Sequence, residues 1–132
     1  MNAPFEQLDF IYTPSRDVAA DLGYLTEVLG GRAVFAVEDM GTRVAAVELA
    51  GHPPQILLTD HLEGDRPILV YRVEDLDSAL AGLEARGWEP ASRFEIPHGP
   101  CCSFRTPGGH RFALYQLTRP QVADHFAGRR DF

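Results

Sequence analysis

At 132 residues, with 45% hydrophobic and 23% charged residues, the chain has the composition of a folded globular protein, not a disordered or fibrous one. Its 12 basic and 19 acidic residues give a net charge of −7, which argues against a nucleic-acid partner and against an anionic membrane surface. No apolar run approaches the roughly 20 residues that span a bilayer. The first six residues form no basic-then-hydrophobic leader, and the adjacent Cys101 and Cys102 read as reduced thiols, so a cytoplasmic setting is expected.

In chain order, residues 6–13 alternate as a strand that Pro14 ends. Asp17 then caps a helix to about Leu29, with Val18, Leu22, Leu25 and Leu29 at helical spacing as its buried stripe. Gly30-Gly31 stops that helix. Strands are expected at 32–38, 42–49 and 54–59, with turns at Asp39-Met40-Gly41 and Gly51-His52-Pro53-Pro54. Residues 61–67 are polar with Gly and Pro and read as a linker. A strand at 67–73 follows, then a helix capped by Glu74 or Asp75 that runs to about Arg86 with Leu76, Leu80 and Leu83 inward. Strands at 89–95, 100–105 and 110–116 complete the series. The tail after Thr118 reads as a short helix from Pro120 to about Ala127, with Val122 and Phe126 on one face that docks on the body or on a second chain.

The two halves repeat. Asp17 to Asp75 is a step of 58 residues, Gly30 to Gly87 a step of 57, and the strand ending at Thr59 echoes the one ending at Tyr115 at a step of 56. A duplicated β-α-β-β-β unit of about 57 residues accounts for all three.

A tandem of this kind resembles the vicinal oxygen chelate superfamily, which includes glyoxalase I, extradiol dioxygenases, fosfomycin-inactivating thiol transferases and bleomycin-resistance proteins. The resemblance covers residues 6–117. It rests on Asp17 through Leu29-Gly30, on Val73-Glu74-Asp75-Leu76 through Gly87, and on Pro107-Gly108-Gly109 before Arg111-Phe112-Ala113-Leu114-Tyr115. It implies a single α+β domain. Its modules, at about 6–60 and 67–117, each curl a mixed sheet into a half-barrel around a cavity, with 118–132 as a tail. It also implies a homodimer with its ligand crevices near the subunit contact.

Metal-dependent members of that superfamily take ligands from the first and last strands of each module. The matching positions here are Phe10, Leu57, Ile68 and Ala113, none of which carries a lone pair for a divalent ion. Asp9 is adjacent to Phe10, but a shift of one residue along a strand turns the side chain to the other face. No metal and no cofactor are therefore expected.

Residues two apart share a face, so Leu8, Phe10 and Tyr12 should point together. So should Gln55, Leu57 and Thr59; Ile68, Val70 and Arg72; and Arg111, Ala113 and Tyr115. Phe10, Tyr12, Gln55, Leu57, Ile68, Val70, Arg72, Arg111, Ala113 and Tyr115 then line the cavity with an apolar floor and a few polar groups, the usual make-up of an organic-ligand pocket.

His98, before Cys101 and Cys102, is the weak catalytic candidate, because an unperturbed imidazole titrates nearest neutrality. His52, His61, His110 and His125 read as surface or capping residues, and Trp88 as cover for a sheet edge or an interface. The leading expectation is metal-independent binding of an apolar or aromatic small molecule, as in the bleomycin-resistance branch. The alternative is a glyoxalase-like lyase, isomerase or dioxygenase using the same cavity. Net negative charge favours a cationic ligand weakly.

Overall fold

The computed structural model describes residues 4–132; residues 1–3, part of the stretch read for a leader, lie outside it. The first unit is β1 (Gln7–Pro14), α1 (Val18–Gly23) continued by a π-helical turn (Tyr24–Val28), β2 (Arg32–Asp39), β3 (Thr42–Glu48) and β4 (Gln55–Thr59). The second is β5 (Ile68–Val73), α2 (Leu76–Glu84), β6 (Arg93–Ile96), β7 (Gly99–Arg105) and β8 (Arg111–Gln116), after which α3 (Val122–Phe126) begins the tail. All eight strands join one curved, open, mixed sheet in the order β2-β3-β4-β1-β5-β8-β7-β6, the α+β half-barrel that the resemblance implied. The first strands of the two units pair antiparallel at its centre. Each is flanked by the last strand of its own unit in parallel.

The two helices start alike. The carboxylate of Asp17 accepts from the Ala20 amide at 3.0 Å and that of Asp75 from the Ser78 amide at 2.9 Å, satisfying first-turn donors that have no helical partner. Both helices cover the same side of the sheet. Val18 and Leu22 pack with Ala45, Val47 and Leu58, while Leu76 and Ala79 pack with Val73, Cys102 and Leu114. A third cluster of Val70, Cys101, Ala113 and Tyr115 includes no helical residue and lies on the opposite face with Phe10, Tyr12 and Ile68.

Four local expectations are corrected. Leu29 was read as the last residue of the buried stripe but is 52% exposed. The chain there closes i→i+5 bonds, with the Leu29 amide donating to the Tyr24 carbonyl at 3.1 Å, and the wider turn rotates Leu29 off the inward face. The strand expected from residue 89 starts only at Arg93, beyond Pro90, which has no amide hydrogen for a ladder. Leu8 does not share a face with Phe10. It pairs with Tyr71, on the helix-covered side, and Phe10 pairs with Val70, so Asp9 is the extra residue of a β-bulge. The bulge also overturns the parity argument for Asp9: its side chain meets Tyr115 on the helix-free face instead of pointing away from it.

The tail docks on the body. Phe126 packs on Phe35 with ring centroids 5.5 Å apart, and Phe132 lies beneath the Arg43 guanidinium, 4.7 Å from its ring centre. The main chain of 128–131 pairs with the outer edge of β2: the Ala36 amide donates to the Arg129 carbonyl at 2.8 Å and the Asp131 amide to the Ala36 carbonyl at 2.6 Å.

Candidate functional site

Strand register sets the ten side chains expected to line a cavity on the helix-free face, without Leu8, which parity had grouped with them. Strand pairing sets Phe10 beside Gln55 and Val70, Tyr12 beside Leu57 and Ile68, Ile68 beside Arg111, Val70 beside Ala113, and Arg72 beside Tyr115. The intervening residues Ile56, Leu58 and Leu114 pack toward the helices, as the two-residue period requires.

At the centre of this face is a polar cluster in an apolar floor. Asp9 is 8% exposed and Tyr115 only 2%. The Tyr115 hydroxyl donates to the Asp9 carboxylate in a short hydrogen bond, and the Gln7 side-chain amide donates to its other oxygen at 2.5 Å. The Arg72 guanidinium stands 3.7 Å from the same carboxylate, and its buried Nε has no hydrogen-bond partner. Burial, and then the neighbouring Asp9 carboxylate, raise the pKa of the Tyr115 phenol, so it stays protonated at neutral pH.

His98 adjoins this cluster. Its ring lies 5.4 Å from Phe10 and 5.8 Å, edge-on, from Tyr115, and its buried Nδ1 has no partner. Burial lowers its pKa and favours the neutral imidazole, although Asp9 pulls the other way. Gly99 permits this position: a Cβ there would lie 2.0 Å from the Gln116 carbonyl oxygen, so the His98 loop can sit against β8 only through a glycine.

A second polar group lies further along the face. The Tyr12 hydroxyl is 2.9 Å from His61 Nε2, and His61 Nδ1 is 2.6 Å from the Thr59 hydroxyl. Burial raises the Tyr12 pKa. His61, read as a surface linker residue, is thus tied to the face. Gln55 donates to Glu48 at 3.3 Å, and Arg32 holds Glu48 at 2.7 Å. Cys101 and Cys102 do not act together, because successive strand residues diverge: Cys101 joins the helix-free cluster and Cys102 the core beneath α2. Burial pushes the Cys101 thiol up to about 12, which leaves it inert as a nucleophile at neutral pH.

Two concavities flank this centre, and neither includes Asp9, Tyr115 or His98. One, of about 270 Å³, lies on the helix side between Thr13, Asp21, Tyr24, Leu25, Ile56 and Leu58. The other, of about 330 Å³, opens on the helix-free face at Ile68, Ser103, Arg105 and Arg111, below the linker residues Leu62 and Glu63.

Neither comparison by sequence finds a relative: no protein-family model matches the chain, and no curated protein does. Solved structures do match. A methylmalonyl-CoA epimerase from Mycobacterium tuberculosis is similar over 94% of this chain and 95% of its own, with a TM-score of 0.70 at 20% identity. Another methylmalonyl-CoA epimerase matches over 90% and 100%, with a TM-score of 0.71 at 16% identity. A glyoxalase/bleomycin resistance protein/dioxygenase superfamily member from Vibrio splendidus 12B01 matches over 81% and 95%, with a TM-score of 0.59 at 16% identity.

The chain has the vicinal oxygen chelate fold.

At these identities the likeness carries the fold alone. Metal-dependent versions of the fold would draw ligands from the positions of Phe10, Leu57, Ile68 and Ala113. Here Phe10, Ile68 and Ala113 pack together in the apolar cluster, and none of the four side chains can donate to a cation, so these residues do not fit a metal. Among the described residues no group of three His, Cys, Asp or Glu side chains could hold one elsewhere, and no helix is long and apolar enough to cross a membrane.

Sequence reasoning passed over Asp9 and His61. Asp9 did leave a trace: a lone carboxylate in an apolar strand, with Arg72 and Tyr115 already grouped on one face. Only the register against β5 reveals the bulge that turns it there.

Proposed function

We propose that this chain binds a small organic molecule on the helix-free face of the sheet without a metal. The apolar or aromatic body rests against Phe10, Tyr12 and Ile68. The polar edge meets Arg72, Gln55 and Arg111. One observation carries this reading: the four positions that would hold a metal are apolar and lie on the same face as these rings and donors. Aromatic contact area supplies affinity, and the few polar groups orient the ligand. The ligand crevices lie near the contact between two copies in a homodimer, which light scattering tests. The chain remains in the cytoplasm.

The binding experiment is calorimetry on chelator-treated protein with a panel of aromatic and apolar compounds. At least one compound should bind, with an affinity that the chelator leaves unchanged. Tyr12→Ala should weaken it by about tenfold, the scale of one well-packed aromatic anchor. Binding that disappears with the chelator and returns with one divalent metal contradicts the proposal.

A second reading draws on the Asp9–Tyr115 pair. A buried carboxylate beside a protonated phenol is a donor and acceptor set suited to proton transfer at carbon, and the epimerases of this fold fit such an activity. Asp9 would take a proton from a carbon acid, the electron pair staying on the substrate as a carbanion. Tyr115 would return a proton from its side, and the resulting phenolate would recover the proton held by Asp9. Exchange of substrate hydrogen for solvent deuterium, abolished by Asp9→Asn, tests it.

A further inference from the structure

We infer that the concavity of about 330 Å³ at the linker end of the helix-free face is an oxyanion subsite, which selects ligands carrying a carboxylate or phosphate group. This inference rests on the proposal that the small molecule occupies that face.

Arg111 carries the inference. It is only 9% exposed, it lines the concavity, and its buried Nε has no hydrogen-bond partner. A buried cationic donor left unsatisfied is costly, and the acceptor that best relieves it is an anionic oxygen. The guanidinium is held in place for that role. Its Nη2 donates to the Glu63 carbonyl at 2.5 Å, and the linker passes so close that a Cβ on Gly64 would lie 2.5 Å from that nitrogen. Gly64 has φ +79°, where glycine carries little strain, so the linker can press on the arginine at this point.

The surroundings suit the same ligand. Arg105 lines the site and is exposed, with only a loose 3.8 Å contact to the Glu63 carboxylate. Ser92 and Ser103 add hydroxyls, and Ile68 and Leu62 add apolar wall. Two arginines face one acid, Glu63, within the lining. Arg66 braces the adjoining turn by donating to the Gly108 carbonyl at 2.8 Å. The protein as a whole is acidic, but net charge acts over distances that salt screens within roughly 10 Å, whereas a guanidinium in contact acts unscreened. A guanidinium fork also matches planar carboxylate or phosphate oxygens in a way that a point charge does not.

The test is titration of the 15N-labelled full chain with benzoate, with benzamide as its neutral isostere, and with inorganic phosphate. Saturable shifts of the Glu63, Ser103, Arg105 and Arg111 amides with benzoate but not benzamide support the subsite. Arg105→Gln should then weaken benzoate by about three- to tenfold without loss of fold, while the buried Arg111→Lys keeps the charge and loses the fork, weakening it similarly. Saturation of the same amides by phosphate also supports the subsite and names phosphate as a source. Equal shifts with benzoate and benzamide overturn the subsite and leave the binding face standing. Shifts confined to the helix side overturn both. No shift at these amides with benzoate or phosphate, at concentrations where benzamide moves those around Phe10 and Tyr12, overturns the subsite alone.

Discussion

The hydroxyl of Tyr115 donates to the carboxylate of Asp9 across 106 residues of chain, tying the last strand of the second unit to the first strand of the first. Asp9 reaches it only because the β-bulge turns an otherwise outward residue onto the helix-free face. Tyr115→Phe removes that donor and leaves a buried carboxylate with Gln7 and a loosely placed Arg72. The loss should cost about 1–3 kcal/mol, the usual penalty for a buried acceptor deprived of its partner. Urea unfolding of the wild type and variant at pH 7 measures it, and a difference within error would mean the bond contributes nothing net.

The same phenol sets an alkaline limit. Its folded pKa is raised above the unfolded value of about 10, so its contribution to stability is complete below that pH and is lost as the pH climbs past it. The buried Cys101 thiol, pushed up to about 12, behaves alike from about pH 8.5 upward. Stability should therefore decline above about pH 8.5. Cys101→Ser should shrink the first part of the decline, to which the buried Cys102 thiol also contributes, and Tyr115→Phe the later part, which Tyr12 shares. In the folded protein at pH 8, both thiols should react slowly with a soluble disulfide reagent, since both are buried.

His98 acts at the other end of the scale. Its folded pKa is lowered by burial, so its contribution is present above the unfolded value of about 6.5 and is lost as the pH falls below it. His98→Asn should flatten the stability curve between about pH 6.5 and 5, and NMR titration of the imidazole should give an apparent pKa below that of a free histidine.

The tail guards an edge. Its main chain satisfies the Ala36 amide and carbonyl, and the Asp131 carboxylate accepts from the Glu38 amide at 2.9 Å. That bond, followed by Arg129, holds the Asp131 carboxyl below its ordinary pKa. Removing residues 128–132 should bare the outer strand and raise concentration-dependent association, which light scattering reads directly.

The repeat spacing, the two aspartate caps and the two-residue strand period placed both units and the composition of the helix-free face, because each depends on local chemistry. Much of what escaped depends on partners distant in sequence. The bulge at Asp9 is set by pairing with Tyr71 and Val70, some sixty residues away. The turn that exposes Leu29 replaces one helical bond pattern with another, which apolar spacing does not register. His61 reads as a linker residue in sequence because the partner that ties it to the face, Tyr12, lies 49 residues away.

Metal content is the most direct test of the central claim. The purified chain is offered Mn²⁺, Fe²⁺, Co²⁺, Ni²⁺ and Zn²⁺, passed through gel filtration and analysed for bound elements. With Phe10, Leu57, Ile68 and Ala113 at the ligand positions, no metal should be retained in stoichiometric amount. About one tightly held ion per chain would contradict the account and transfer the case to a metal-assisted enzyme.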